Sequence, residues 1–270
     1  MTIKSNLKTV WIMFGIFMLL FVLNFYAGSN QTGATSRMWV VLGGWSLVVS
    51  VILLVKHGLP AKRQILVSLL LAAAVAAAYI NVSLFSMIET SVITLFASLA
   101  VFSTFSRFRE NRLVFLHTAS KKSVAVSLLT GAAAGAVLGI INLLLSGKAL
   151  DSFSIKFAYF KIALSPAIYE EMAMRAVFYA LCLSLLNGRM DTRARRFTAW
   201  FMMIIPHVLI HTPDIFINNG IVPGIVNIIM LALLFGLPFA ILQKKRDIAS
   251  AMLAHGIVDV IRFCFFGLPY

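Results

Sequence analysis

The sequence predicts an all-α fold, a polytopic transmembrane helix bundle with about 8–9 spans. Three observations predict it. The 270 residues are 61% hydrophobic and only 12% charged, whereas soluble domains carry about 25% charged residues. Mean hydropathy is +0.96, and several apolar runs reach the roughly 18–20 residues that cross a bilayer as a helix. The 23 lysines and arginines fall in short clusters between those runs, as loops beside anionic lipid do. The net charge of +14 therefore points to a lipid bilayer and not to nucleic acid. No hydrophilic stretch is long enough for a second domain, so residues 1–270 read as a single membrane domain. Cys182 and Cys264 both lie in apolar runs and read as buried thiols, not as a disulfide framework.

Taken in order, the expected spans are Thr9–Gly28, Met38–Val55, Gln64–Asn81, Leu84–Phe105, Ser123–Leu145, Phe157–Leu186, Phe197–His211, Ile221–Leu242 and Ile248–Gly267. The first follows the basic Met1–Lys8 and is too long for the apolar core of a cleavable signal, about 7–15 residues. It reads as a spanning helix that also directs insertion. The third and fourth spans are nearly fused, with Asn81, Ser83, Ser86 and Glu89 marking the turn, so a count of eight is the alternative. Small residues crowd the third (Ala72–Ala74, Ala76–Ala78) and the fifth (Gly131–Gly135), which suits close helix packing. The long connector Ser106–Lys122 alternates apolar residues with arginines and reads either as an interfacial amphipathic helix or as a solvated loop. With nine spans and the N-terminus inside, 17 basic residues fall on the inner side and 4 (Arg37, Lys148, Lys156, Lys161) on the outer. That bias places the N-terminus in the cytoplasm and the C-terminus outside. Asp151, Asp191, Asp214 and Asp247 read as loop charges.

Charge inside the spans is sparse and concentrated. Tyr169-Glu170-Glu171-Met172-Ala173-Met174-Arg175 puts two carboxylates and a guanidinium in an apolar helix, at a cost near ~3 kcal/mol each on insertion scales. On an α-helix Glu171 and Arg175 share a face at i, i+4, while Glu170 points about 100° away towards another neighbour. The next polar set is Pro206-His207-Val208-Leu209-Ile210-His211-Thr212-Pro213-Asp214, with His207 and His211 four apart. The last is His255-Gly256-Ile257-Val258-Asp259, again i, i+4, with Arg262 a counter-charge three residues on. Each set has a structural alternative: an interhelical histidine hydrogen bond, or an ion cluster that ties helices together. Three sets in three late spans make separate structural explanations less economical.

Histidines and a glutamate in a shielded cavity can activate water, the glutamate acting as general base, while a second histidine beside Asp259 donates to an oxyanion. The same donors could hold zinc with an open position, with Glu170, His211 and His255 as ligands. The zinc signature His-Glu-x-x-His is absent, as is a Gly-x-Ser-x-Gly elbow. Intramembrane histidines also suit a proton-coupled transporter.

Glu-Glu-x-x-x-Arg in one span, a histidine in the next and His-x-x-x-Asp in the last resemble the CPBP family, the CAAX protease and bacteriocin-processing (Abi) intramembrane proteases. The likeness covers about Ala158–Val260, a catalytic core with three motifs, and residues 1–150 match only as apolar, family-variable spans. The resemblance implies Glu170 as the water-activating carboxylate, supported by Glu171 and Arg175. The second motif, Phe-x-x-x-His, fits His211 with His207 in the phenylalanine position, or His207 with Met203 there. His255 and Asp259 match the oxyanion-stabilising motif, Asp standing for the frequent Asn. It implies an endopeptidase acting on a peptide or membrane-protein substrate, in what reads as a bacterial plasma membrane; the expected mechanism is glutamate-based with no cofactor, zinc being the alternative. Relatives tied to bacteriocin immunity, or acting as non-catalytic partners of membrane proteins, make a scaffold or immunity protein the alternative.

Overall fold

The computed structural model describes residues 6–27, 33–147 and 153–268. The expected span end Gly28 and the charges Lys4, Lys148 and Asp151 lie outside them. The protein is all-α and polytopic, and among the described residues there is no strand. Its elements are α1 (Leu7–Asn24), α2 (Ala34–His57), α3 (Lys62–Tyr79), α4 (Leu84–Arg107), α5 (Lys121–Leu145) and α6 (Phe157–Ser165). A π-helical stretch, Pro166–Ala176, follows. Then come α7 (Val177–Leu185), α8 (Arg193–Leu209), α9 (Pro213–Asn219), α10 (Ile221–Leu231), a second π stretch (Ala232–Gly236), α11 (Leu237–Lys245) and α12 (Ile248–Phe266).

All nine expected stretches are helical. Among the described residues, 7 helices are long and apolar enough to cross a membrane, or 8 if α8 and α9, bent by 55°, form one broken span. The expected sixth span falls outside that count because it carries Lys161, Glu170, Glu171 and Arg175, and its winding also changes. Pro166 supplies no N–H, so the α ladder loses a bond there, and the chain winds on in the wider π register through Ala176. The expected sixth span is therefore helical throughout, yet it is divided among α6, the π stretch and α7. Two other expectations change. Glu89 sits inside α4, not at a turn. The connector after α4 is not helical but irregular, and its backbone is used for bonding.

Contacts divide the chain into two compact units interleaved in sequence. The first comprises Met1–Ile65, Phe96–Arg112 and Met172–Leu237. In it α7 packs on α8, α2 and α1, and α1 packs on α8. Trp11 Nε1–H donates to Thr198 Oγ1 at 3.1 Å, and Trp11 and Phe14 pack on Phe201. Asn187 and Gly188 adopt positive φ after α7, and Gly188 N–H reaches back to the Leu183 carbonyl at 2.8 Å, a left-handed stop suited to glycine. Lys56 Nζ and the His57 ring hold Ser184 at that helix end, at 3.1 and 2.7 Å from its hydroxyl. Thr35 and Asp214 cap each other, the backbone N–H of each donating to the other's side chain. Thr192 caps α8 by accepting from Arg195 N. The Arg195 guanidinium also bonds the exposed Asp191, whose carboxyl it holds below the usual range.

The second unit comprises Leu66–Leu95, Leu113–Glu171 and Pro238–Tyr270. Its centre is the crossing of α5 and α12. Ser127, Gly131, Gly135 and Gly139 repeat every four residues and make one bare ridge on α5. A Cβ on Gly131, Gly135 or Gly139 would lie 2.6, 2.7 or 2.6 Å from Ser250 O, Ala254 O or Ile261 Cδ1. The small residues expected to bring the fifth span close thus do so. On α3 the small residues supply a buried stripe, Ser68, Ala72, Val75 and Ala78. α6 covers α12 through Tyr159, Ile162 and Ala163 against Phe263 and Cys264. Both cysteines are free and buried.

Asp247 is no solvated loop charge. It is fully buried and caps α12: its carboxylate accepts from Ser250 N at 2.8 Å, from His117 N at 3.1 Å and from the Ser127 hydroxyl at 2.5 Å. The Val114 and Phe115 carbonyls take the N–H groups of Ile248 and Ala249 at 2.9 and 3.0 Å. Arg246, 3.6 Å from the carboxylate, bonds Ser123 and Ser127 on α5. Buried donors of a helix N-terminus need such partners, and they fix where α12 starts relative to α5.

Candidate active site

The π stretch carries Glu170, Glu171 and Arg175. The α-helical alignment expected for Glu171 and Arg175 does not apply there, because successive turns are bonded i to i+5. In the second unit both glutamates meet His255. Its Nδ1 lies 2.7 Å from Glu171 Oε1, and its Nε2 lies 3.5 Å from Glu170 Oε2. An imidazole has a nitrogen on each side, so one ring engages two consecutive residues. Asp259, one turn along α12, reaches the same Nε2 at 3.6 Å. Arg262 lies 3.8 Å from Asp259 and is half-exposed at the rim, as its i+3 spacing suggested.

The cluster is dry. Glu170 is 7% exposed, Glu171 0%, His255 8% and Asp259 8%. The approach of α12 to the π stretch depends on small residues, since a Cβ on Gly256 would lie 3.2 Å from Ala167 Cβ. Two residues of α11 complete the surroundings. Phe239 stacks on His255, ring centroids 4.7 Å apart and 13° from parallel. Gln243 Nε2 donates to Glu171 Oε2 at 2.6 Å and to the Glu171 carbonyl at 3.3 Å.

In the first unit Arg175 is buried and donates from Nη1 to the Gly236 carbonyl at 3.0 Å. The guanidinium thereby ties one π stretch to the other, whose Gly236 approaches Ile204 too closely for a Cβ, 2.6 Å. Ser46 donates to the Ala173 carbonyl at 2.6 Å. His207 and His211 come together as their spacing implied, Nε2 to Nε2 3.4 Å, ring planes nearly perpendicular. Trp39 from α2 packs edge-on to both, centroids 6.1 Å from His207 and 5.0 Å from His211.

Of the expected site residues, Glu170, Glu171, His255 and Asp259 thus form one cluster, His207 and His211 form a pair, and Arg175 bonds the Gly236 carbonyl. Residues 152–261 match the family model described as type II CAAX prenyl endopeptidase, Rce1-like. That segment, less than half of the chain, is thus similar to the CPBP/CAAX protease family. No curated protein and no solved structure matches the chain. The Rce1-like segment encloses all seven expected site residues, and its family is one of membrane endopeptidases. It also encloses Phe239 and Gln243, which the sequence did not single out, and Asp247, which read as a loop charge. Asp247 had a sequence signal, an Asp three residues before Ser250 at the start of an apolar run, the pattern of an N-cap. Gln243 had none, because beside Lys244 and Lys245 it reads as the polar end of a span. Trp39 lies outside the matched segment.

Proposed function

We propose that this chain is an intramembrane endopeptidase that cleaves a membrane-associated peptide or protein with a water activated by Glu170. The observation that carries the reading is the buried contact of His255 with Glu170, Glu171 and Asp259. A set of carboxylates around one imidazole, buried in apolar helices, is costly unless it does chemistry. The gap of 3.5 Å from Glu170 to His255 Nε2 is longer than a good direct hydrogen bond.

Glu170 takes a proton from the attacking water and returns it to the leaving amine. Glu171, bonded to Nδ1–H of His255, holds the ring so that a proton on Nε2 can be donated to the oxyanion. The imidazolium this requires is balanced by the Glu171 carboxylate. Asp259 orients the same ring, and Arg175 keeps the glutamate turn in place. His211, or His207 in its stead, positions the water. The reaction in this reading needs no metal and no organic cofactor. The motif segment is the catalytic core of one membrane domain, with the N-terminus cytoplasmic, the C-terminus outside and a bacterial plasma membrane as the setting.

The test compares membrane peptides from cells carrying the wild-type protein with those carrying Glu170→Ala or His255→Ala at matched expression. Peptides that disappear in both variants identify the products. Full processing by both variants refutes catalysis and leaves a scaffold that binds a partner in the bilayer.

A further inference from the structure

We propose that Phe239 and Gln243 are positioning residues that fix the ring orientation of His255 and its Nδ1–H bond to Glu171, Gln243 acting through Glu171 and Phe239 directly. The inference deepens the endopeptidase reading and concerns the same site.

The two residues are four apart on α11 and so present one face. Each meets the cluster differently. Gln243 spends its amide nitrogen on Glu171 twice, on Oε2 and on the main-chain oxygen. Both partners are acceptors, so the nitrogen and not the oxygen of the amide must face them. Its own Oε1 is buried without a hydrogen-bond partner among the described residues. An apolar side chain would avoid burying that acceptor, so the donor end is what the position requires. With Oε2 held by Gln243, the other oxygen of Glu171 is aimed at His255 Nδ1, 2.7 Å away. A carboxylate accepts and cannot donate when ionised, so the proton sits on Nδ1 and Nε2 is turned towards Glu170 and Asp259. Phe239, stacked nearly parallel at 4.7 Å, blocks rotation of the ring out of that plane. Glu171 alone could swing about its own side chain and take the imidazole with it. The amide and the phenyl ring remove that freedom, as partners behind a functional histidine do elsewhere.

The full-length protein, labelled with ¹⁵N-histidine and held in lipid nanodiscs, tests this without any substrate. The His255 ring signals are assigned by their loss in His255→Ala. In the wild type Nδ1 should give a protonated-nitrogen signal that exchanges slowly with solvent. In Gln243→Leu that signal should shift and exchange at least about tenfold faster, and in Phe239→Ala the two ring nitrogens should broaden. Gln243→Met, of similar length and without the donor, covers the case in which leucine unfolds the helix, and it should shift Nδ1 likewise. Unmoved His255 signals in folded Gln243→Met and Phe239→Ala overturn the proposal. That result leaves the protease reading standing, whereas a wild type that cleaves nothing sinks the protease reading and leaves the ring-fixing test intact.

Discussion

Gly135 on α5 faces Ala254 on α12 so closely that a Cβ added to Gly135 would sit 2.7 Å from the Ala254 carbonyl oxygen and 2.8 Å from Ile257 Cβ. The neighbour is helix backbone and cannot step aside. Gly135→Leu should therefore separate the helices and cost about 3 kcal/mol, the upper part of the usual range for overpacking. It should also displace His255, the residue after Ala254, and with it any cleavage. Gly44→Ala is the comparison, because nothing lies within 4 Å of its added Cβ and alanine favours a helix. Thermal unfolding of both in one detergent decides the matter. If Gly135→Leu melts with Gly44→Ala, the small-residue ridge does not hold the crossing.

Asp247 should be the costliest charged residue to remove outside the glutamate cluster. Asp247→Ala leaves the N–H groups of Ser250 and His117 and the Ser127 hydroxyl without their buried acceptor. A lost cap costs about 1 kcal/mol, and each stranded buried donor roughly 1–3 more. A loss of about 3 kcal/mol is expected for alanine. Asp247→Asn, which keeps an acceptor oxygen on the helix start, should lose about half as much. Unfolding midpoints measured side by side give the answer, and equal losses for the two variants contradict the cap as the reason for burial.

Why some of this was legible and some not follows from what each residue signals locally. Long apolar runs specify membrane helices because lipid forces every backbone group to bond within its own segment, so all nine stretches are helical. Glu170, Glu171, His255 and Asp259 stood out because ionisable groups in hydrocarbon are rare. The winding of the glutamate turn did not stand out. Apolar spacing looks the same in α and π registers, and a single proline such as Pro166 is tolerated in a membrane helix. The assumed α face for Glu171 and Arg175 fell with it. Gln243 was hidden because polarity beside a basic cluster is the ordinary mark of a loop, and for the same reason Asp247 read as a loop charge despite its N-cap pattern with Ser250. Their burial depends on α5, the connector at Val114–His117 and the π stretch, all distant in sequence.

Metal removal separates the water-only reading from its zinc alternative. Exhaustive chelation should leave cleavage of the identified substrate unchanged, and elemental analysis of purified protein should find zinc well below one per chain. The expectation follows from Glu170 acting as the general base; the Nδ1 bond of His255 to Glu171 would serve a zinc ligand equally well, so the metal content and the chelation result decide. Loss of activity on chelation, restored by zinc at one ion per chain, would replace this mechanism with one in which Glu170, His211 and His255 are ligands.

The two histidines of the second motif differ in ways that forecast different mutant kinetics. His207 lies inside α8 and is 3% exposed, whereas His211 follows the end of that helix at Leu209 and is partly open. His207 Nε2 lies 3.4 Å from His211 Nε2, within reach to orient its ring, and Trp39 packs closer to His211 than to His207. A buried histidine that orients and an accessible one that meets water is the division these contacts favour. His211→Ala should then lower kcat/KM by about 10²–10⁴, the span expected when a proton-transfer partner is lost. His207→Ala should cost nearer tenfold, and Trp39→Ala should resemble His207→Ala, because each removes support from the His211 ring and not the ring itself. Kinetics on the three variants, with unfolding midpoints checked, distinguish the assignments. The reverse order, with His207→Ala the more damaging, would make His207 the motif histidine and put Met203 in the aromatic position four residues before it.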